Sequence, residues 1–366
     1  MTHNWRQRYT FWLKPLSWLF QMVVAVRNKF YDIGIFKTRE FPIPILCIGN
    51  ITVGGTGKTP HTEFLLSILS PAHNVAVLSR GYKRTSKGFL EVELASDVKV
   101  VGDEPLQIKN NFPHVRVFVD ANRTRAIQKL MSLEDKFDVI LLDDGFQHRA
   151  VAPGLSIVLM DFNRPVYKDS MLPAGDLREP VSELKRAEML VVTKTPTNIK
   201  PMEQRIISND LNLFPYQDLY FSTYTYVRPQ GLFNNQHAED ENFLADASVL
   251  LVTGIAQPLP LLAHLQQFTN KIKHLDFPDH HLYAPMDAKT ILREYTALPK
   301  PAYIITTQKD AQKLSVLLND YSELKDQIYF IPIQVVFLTQ GKEFTNHILD
   351  YVGKNKRKRT VHKATN

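Results

Sequence analysis

The sequence predicts a doubly wound α/β protein of two domains, with a mostly parallel sheet in the first. Six apolar runs, ILCIG (45–49), VAVLS (75–79), VRVFV (115–119), VILLD (139–143), SIVLM (156–160) and MLVVT (189–193), are mostly continuous rather than alternating. Continuous runs are the pattern of strands buried on both faces. Helical stretches at 60–70, 103–110 and 122–133 lie between several of them, so the repeat is strand, helix, strand. With 366 residues, 44% hydrophobic and 22% charged, the chain can fill one large core or two ordinary ones, which excludes wholesale disorder.

In chain order, residues 1–39 come first, with FWLKPLSWLFQMVVAV (11–26) as the one stretch resembling a membrane segment. Lys14, Pro15 and Gln21 interrupt it, and it falls short of the roughly 20 apolar residues that span a bilayer. No small-residue cleavage site follows, which argues against a secretory signal. An amphipathic N-terminal helix is the reading. Its Trp5, Trp12, Trp18, Tyr9, Phe11 and Phe20 suit a headgroup boundary, and its Arg6, Arg8, Lys14, Arg27 and Lys29 suit anionic lipid; the alternative is a helix packed across the domain with these aromatics buried as core.

The first domain is expected over 40–218. At 219–230, LYFSTYTYVRPQ is aromatic and Thr-rich and is followed by the polar QHAEDEN, so a two-stranded connector or a domain boundary is expected, with the linker set at 219–240. A second set comes next: SVLLVTG (248–254), the helix-like 258–270, KHLDFPDHHLY (273–283), AYIITT (302–307) and YFIPIQVVF (329–337). It predicts a smaller C-terminal α/β domain over 241–350, with the cleft between the domains as the natural ligand site. The run KNKRKR within 351–366 reads as a disordered basic tail.

Charge is uneven. Residues 1–39 and residues 351–366 each carry a net +6, while the long middle carries a net −5. Basic ends on an acidic body argue against a nucleic-acid groove and suit an anionic surface. The single cysteine, Cys47, excludes a disulfide framework and a CxxC zinc site, as expected of a reducing cytoplasm.

The most informative stretch is GNITVGGTGKTP (49–60), between an apolar run and the amphipathic HTEFLLSIL (61–69). Thr52, Val53, Gly54, Gly55, Thr56, Gly57, Lys58 and Thr59 form a candidate phosphate loop. Its glycines turn backbone N–H groups inward at a helix N-terminus, Lys58 reaches the terminal phosphates and Thr59 ligates Mg²⁺. Pro60 fits the first helical turn, where a missing N–H costs nothing. The pattern GxxxxGK[ST] asks for Gly at position 52, where this chain has Thr. Such a loop needs a carboxylate at a neighbouring strand end to hold the metal, and FDVILLDDGFQH (137–148) supplies Asp143 and Asp144.

Other segments must define the acceptor. SRGYKR (79–84) follows a strand, VGDEP (101–105) puts Asp103 and Glu104 before a helix-starting proline, and LPAGDLREP (172–180) carries Arg178 and Glu179. FPDHHLY (277–283) gives Asp279, His280 and His281. Against metal binding, adjacent histidines on a strand point to opposite faces and no third ligand has suitable spacing. A carboxylate oriented by a histidine could instead take a proton from an attacking hydroxyl.

GNITVGGTGKTP, SRGY, VGDEP, DDGFQH, LPAGDLRE, TGIAQP, FPDHH and TTQKD occur in the order and approximate spacing of the tetraacyldisaccharide 4′-kinases, the lipid A 4′-kinase family, which the chain resembles over roughly residues 10–340. The block at 12–37 also resembles that family's membrane-associating helix, and the family's own loop shares the Thr52 departure. The basic tail after 350 is not part of the family pattern. The resemblance implies transfer of the γ-phosphate of ATP to the 4′-hydroxyl of a lipid A disaccharide precursor. It implies a protein peripheral to the cytoplasmic face of a bacterial inner membrane, with ATP and Mg²⁺ as cofactors. It implies two α/β/α domains joined by a two-stranded linker, with no obligate protein partner and no nucleic acid. Carried over, Lys58 and Thr59 fall on the loop lysine and the Mg²⁺-ligating hydroxyl. Asp103 falls on the general base, and His280 or His281 on its partner, with His280 favoured. Asp143 and Asp144 fall on the metal-associated carboxylates. Arg123, Arg178, Glu179 and His148 match positions near phosphate, metal or sugar.

An ordinary aspartate, with a pKa near about 4, is a weak base. A cationic histidine beside it would lower that further, so the benefit is either positioning or a neutral histidine sharing the proton. Two other classes make different demands. A nucleotide-gated switch of the GTPase kind would carry a guanine-reading NKxD, and the nearest matches, TKTP (193–196) and TQKD (307–310), lack its Asn. Nucleic-acid binding through the tail would make residues 354–366 essential.

Overall fold

The computed structural model describes the backbone of residues 3–234, 241–279 and 281–364, with side chains at all of these except 3–11, 241 and 356–364. The chain divides into two units, residues 1–223 with 335–366, and residues 224–334.

The first unit begins with α1 (His3–Asp32), β1 (Ile45–Asn50), α2 (Lys58–Leu69), β2 (Val75–Ser79), β3 (Leu90–Val92), α3 (Val98–Val101) and α4 (Asp103–Asn111). It continues through β4 (Arg116–Val119), α5 (Arg123–Ser132), β5 (Val139–Asp143), β6 (Leu155–Asp161), β7 (Met189–Thr193), α6 (Pro201–Leu211) and β8 (Asp218–Tyr226). The second unit contains β9 (Gln230–Gly231), β10 (Ser248–Thr253), α7 (Leu259–Leu265), β11 (Ile272–Asp276), α8 (Pro285–Thr296), β12 (Ala302–Thr307), α9 (Gln308–Leu317) and β13 (Ile328–Ile331). The chain then leaves through β14 (Ile333–Phe337) and ends in α10 (Gly341–Ala364).

Among the described residues the first sheet has the order β14-β8-β7-β6-β1-β5-β2-β4-β3. The pairs from β8 to β4 are parallel, and β3 runs antiparallel to β4. The apolar runs form these strands because both sheet faces are covered. Ile45 and Cys47 of β1 join one core with Val24, Ala126, Ile127 and Ile207. Leu46 and Ile48 join another with Leu65, Leu66, Ile108 and Phe344. After β5 on one side of β1 the chain crosses to β6 on the other, which makes the carboxyl end of β1 a switch point, the usual ligand position in such sheets.

The second unit has a sheet ordered β11-β10-β12-β13-β9, parallel except for β9. One face packs Ala288, Ile291 and Leu314 from its helices, the other Leu261 and Leu265.

Four expectations need correction. The apolar run 329–337 is two strands, because Pro332 has no N–H to give a ladder. The linker's second strand is β14, outside the expected 219–240. β14 lies beside β8, and the bonds Leu338 N to Phe221 O (2.9 Å) and Val227 N to Pro332 O (2.8 Å) run antiparallel. The expected C-terminal domain also loses its last stretch to the first unit, because Phe344, Ile348 and Val352 sit in that unit's core. The expected disordered tail is the end of α10: these three residues recur every four positions, seat the helix, and let it propagate cooperatively through the basic run. Residues 235–240 and the side chains of the tail beyond Asn355 lie outside the described residues. Ile348 is fully buried, so Ile348→Ala is expected to destabilise the first unit by about 2–5 kcal/mol, read as a fall in the urea midpoint.

Candidate active site

The glycine turn leaves β1 at the carboxyl edge and enters α2 through Gly57, whose φ of 88° is left-handed and suits glycine. Gly49 is also required: a Cβ there would come within 2.7 Å of the Phe146 Cβ. Thr52 needs no such freedom. It is paired in extended form with Leu177, which explains how the chain does without the pattern's first glycine.

The loop is held from outside by groups that sequence patterns did not single out. Asn50 Nδ2 donates to Thr56 Oγ1 at 2.8 Å, and Thr193 Oγ1 donates to the Thr56 carbonyl at 2.9 Å. Lys194 Nζ donates to the Gly55 carbonyl at 2.5 Å and to Asp161 Oδ2 at 2.8 Å. Thr193 and Lys194 belong to the TKTP stretch, so the available signal was its position after a strand, not its likeness to a base-reading motif.

The two aspartates end β5 beneath this turn. Asp143 is 1% exposed and accepts from Thr62 Oγ1 of α2 at 3.1 Å. Asp144 sits at a φ of 50°, followed by Gly145, where a Cβ would approach Cys47 Sγ and Leu142 Cβ at 2.9 Å. Lys58 Nζ lies 3.7 Å from Asp144 Oδ1, and Arg178 Nη2 lies 3.1 Å from the same atom. Arg178 also donates to Asn50 Oδ1. Arg123 is 2% exposed at the start of α5, with Nη2 at 3.5 Å from the carbonyls of both aspartates.

The carboxyls are pushed in opposite directions. Burial pushes the Asp143 carboxyl up, and the charge of Asp144 adds to this, against Lys58 and hydrogen bonds from Ser79 and Thr62. Burial also opposes the Asp144 charge, but Lys58 and Arg178 outweigh it and hold that carboxyl below its ordinary value. Asp144 therefore carries the firmer negative charge. The Asp143 Oδ2 is buried without a hydrogen-bond partner, and Thr59 is buried at the start of α2. An orphaned carboxylate oxygen and a buried hydroxyl at the start of the loop helix are donors of the kind that fit Mg²⁺. Among the described residues no cluster of three or more His, Cys, Asp or Glu could hold a metal.

Asp103 begins α4 at the same edge. A Cβ on the preceding Gly102 (φ 95°) would lie 3.3 Å from the Tyr82 carbonyl, so the VGDEP and SRGY turns are packed together. Asp103 Oδ1 accepts from the Glu104 N–H at 3.0 Å. Gln107 and Asn111 of α4 donate to Glu63 of α2 at 2.9 and 2.7 Å, tying the Asp103 helix to the loop helix. At the start of α5 lies a cavity of about 670 Å³ lined by Lys37, Arg39, Asn122, Thr124, Arg125 and His148, among others. Burial, then the nearby Arg123 and Arg80, pushes His148 down to about 4, so it is neutral near pH 7.

Two sequence-based expectations fall elsewhere. Glu179 does not face the aspartates. It is fully buried and accepts from Asn28 Nδ2 at 2.9 Å and from Arg27, both on α1. Arg27, expected among lipid-facing cations, is thereby turned inward, and Phe20 packs on the core instead of a headgroup. His280 lies outside the described residues. His281 is committed within the second unit, its Nε2 2.9 Å from Asp287 Oδ2 and its ring stacked 4.8 Å from Phe277.

The family model for tetraacyldisaccharide-1-P 4'-kinase matches residues 9–353. The tetraacyldisaccharide 4'-kinase of Bacteroides thetaiotaomicron is 44% identical over 357 residues, covering 94% of each chain. That of Bacteroides fragilis strain ATCC 25285 is 45% identical over 353 residues, again 94% of each. Among solved structures, LpxK from Aquifex aeolicus in complex with ATP superposes with a TM-score of 0.72 at 28% identity, covering 94% of this chain and 99% of that one. With a match across nearly its whole length and relatives this similar, the chain belongs to the tetraacyldisaccharide 4'-kinase family.

Proposed function

We propose that this chain transfers the γ-phosphate of ATP to the 4′-hydroxyl of the tetraacyldisaccharide 1-phosphate precursor of lipid A. The observation that carries the reading is the convergence of Lys58 and Arg178 on Asp144 beneath a glycine turn at the sheet's switch point. In this scheme the loop N–H groups and Lys58 bind the phosphates, and Arg178 and Arg123 neutralise charge spreading onto the transferred group. Thr59, Asp143 and Asp144 would hold Mg²⁺, which when bound supplies charge neutralisation of the phosphates. Asp103 accepts the proton as the sugar oxygen attacks phosphorus and the bond to ADP breaks. The basic cavity at the start of α5, lined by Lys37, Arg39 and Arg125, suits an anionic sugar headgroup.

An acyl-chain substrate requires the enzyme to reach a membrane. Among the described residues no helix is long and apolar enough to cross one. The outer side of α1, however, leaves Trp12, Leu16, Trp18, Leu19, Met22, Val23 and Val26 exposed, Trp18 at 69%. Lys14 and Lys29 are exposed on the same helix. Such a face suits a helix lying in an anionic interface, at the inner membrane surface where cytoplasmic ATP meets the lipid.

Purified protein with ATP, Mg²⁺ and detergent-dispersed tetraacyldisaccharide 1-phosphate is expected to yield the bisphosphate on thin-layer chromatography, and chelation of Mg²⁺ to stop it. Absence of product with the lipid shown to be accessible would overturn the reading.

A further inference from the structure

The helix carrying the exposed apolar face has a second, buried side. Leu13, Ser17, Phe20, Val24, Arg27, Asn28 and Tyr31 recur at intervals of three and four, and all are buried or half-buried. This side docks on the segment 170–180. Ser17 Oγ accepts the Ala174 N–H at 2.9 Å, and Arg27 and Asn28 bond the buried Glu179.

The other edge of that segment is bonded to the phosphate loop. The Val53 N–H donates to the Asp176 carbonyl at 2.8 Å, and the Arg178 N–H to the Ile51 carbonyl at 2.7 Å. Thr52 bridges Leu177, and the Arg178 side chain holds Asn50 and Asp144. Asn50 in turn bonds Thr56 within the loop. Residues 178 and 179 thus face opposite ways, one toward the reacting phosphates and one toward α1.

We infer that Arg27 and Asn28 are positioning residues for the nucleotide site, acting through Glu179 on Arg178 and on residues 51–53. The inference rests on the proposed reading of the glycine turn as the ATP site. Glu179 is wholly removed from water, and a buried carboxylate that loses its partners is strongly destabilised, so the segment would shift to rehydrate it. Arg186 also feels this charge, but its guanidinium is bonded to Glu183 at 2.7 Å and to the Phe146 carbonyl at 3.1 Å. Any shift of residues 176–179 displaces the strand-like pairing that sets the start of the loop. The helix then does two separable things: its outer side meets the membrane and its inner side holds the phosphate loop in register.

The test uses the full chain, Mg²⁺ with a non-hydrolysable ATP analogue, and anionic phospholipid vesicles. Arg27→Met is expected to weaken nucleotide affinity by about 2- to 30-fold, the range of couplings carried through packed networks, while vesicle cosedimentation stays as in wild type. Adding Glu179→Gln to that variant removes the stranded charge and is expected to recover most of the affinity, as is Arg27→Lys alone. Wild-type nucleotide affinity in Arg27→Met would overturn the inference. So would a loss that neither Glu179→Gln nor Arg27→Lys repairs, which marks general unfolding. If wild type itself bound no nucleotide, the reading of the turn would fail first, an outcome distinct from an unaffected variant.

Discussion

Replacing Lys58 by alanine is expected to lower kcat by about 10²–10³-fold, the usual effect of deleting one preorganised charge donor at a site where negative charge develops. The structure gives this lysine two tasks. Its ammonium lies at the first turn of α2, where the loop N–H groups and the helix dipole already favour phosphate. It also lies 3.7 Å from Asp144, which it helps keep ionised. Its loss should let the Asp144 carboxyl move back up toward its ordinary value, adding a weakened metal hold to the missing phosphate contact. Single-turnover phosphate transfer at saturating ATP reads the effect, with an unchanged circular dichroism spectrum showing that the fold survives. Turnover within a few-fold of wild type would remove the glycine turn from the mechanism.

Asp103→Asn is expected to cost about 10²–10⁴-fold in kcat, with little change in the KM for ATP. This substitution is more informative than alanine here. The Asp103 side chain accepts the Glu104 N–H at 3.0 Å, a bond the asparagine oxygen can keep, so the start of α4 need not change. What asparagine cannot do is accept a proton from the sugar hydroxyl. A large rise in the KM for ATP with kcat preserved would assign Asp103 to nucleotide binding and leave the acceptor hydroxyl without its base.

Strands buried on both faces were legible because their signal is local and unbroken: ILCIGN and VILLDD need no long-range information to announce a parallel sheet and its ligand edge. The turn at Gly57 into α2 was legible for the same reason, as a backbone demand fixed by spacing. Glu179 was not. Beside Arg178 in a loop it looked like a member of the same charged site, and its direction depends on α1, some 150 residues earlier in the chain. Lys194 was missed because its role lies in one ammonium reaching a carbonyl of the distant glycine turn. The end of the second unit was misjudged because an apolar run does not say which sheet it joins. Pro332 marked the break, but only the pairing of β14 with β8 assigns residues 333–337 to the first sheet.

That pairing has a consequence for how the protein is made. Tyr351, near the carboxyl terminus, exchanges hydrogen bonds of 3.3 Å with the backbone of Ile45, at the start of the strand that leads into the glycine turn. A ribosome must therefore deliver the chain past residue 351 before the strand at 45–50 is covered. The intervening segment, residues 224–334, has its own core and can close while the sheet that precedes it still waits for its last helix. A stalled product ending there would leave Leu46, Leu65 and Ile157 without Phe344, Ile348 and Val352 over them, a sticky surface of the kind chaperones and proteases police.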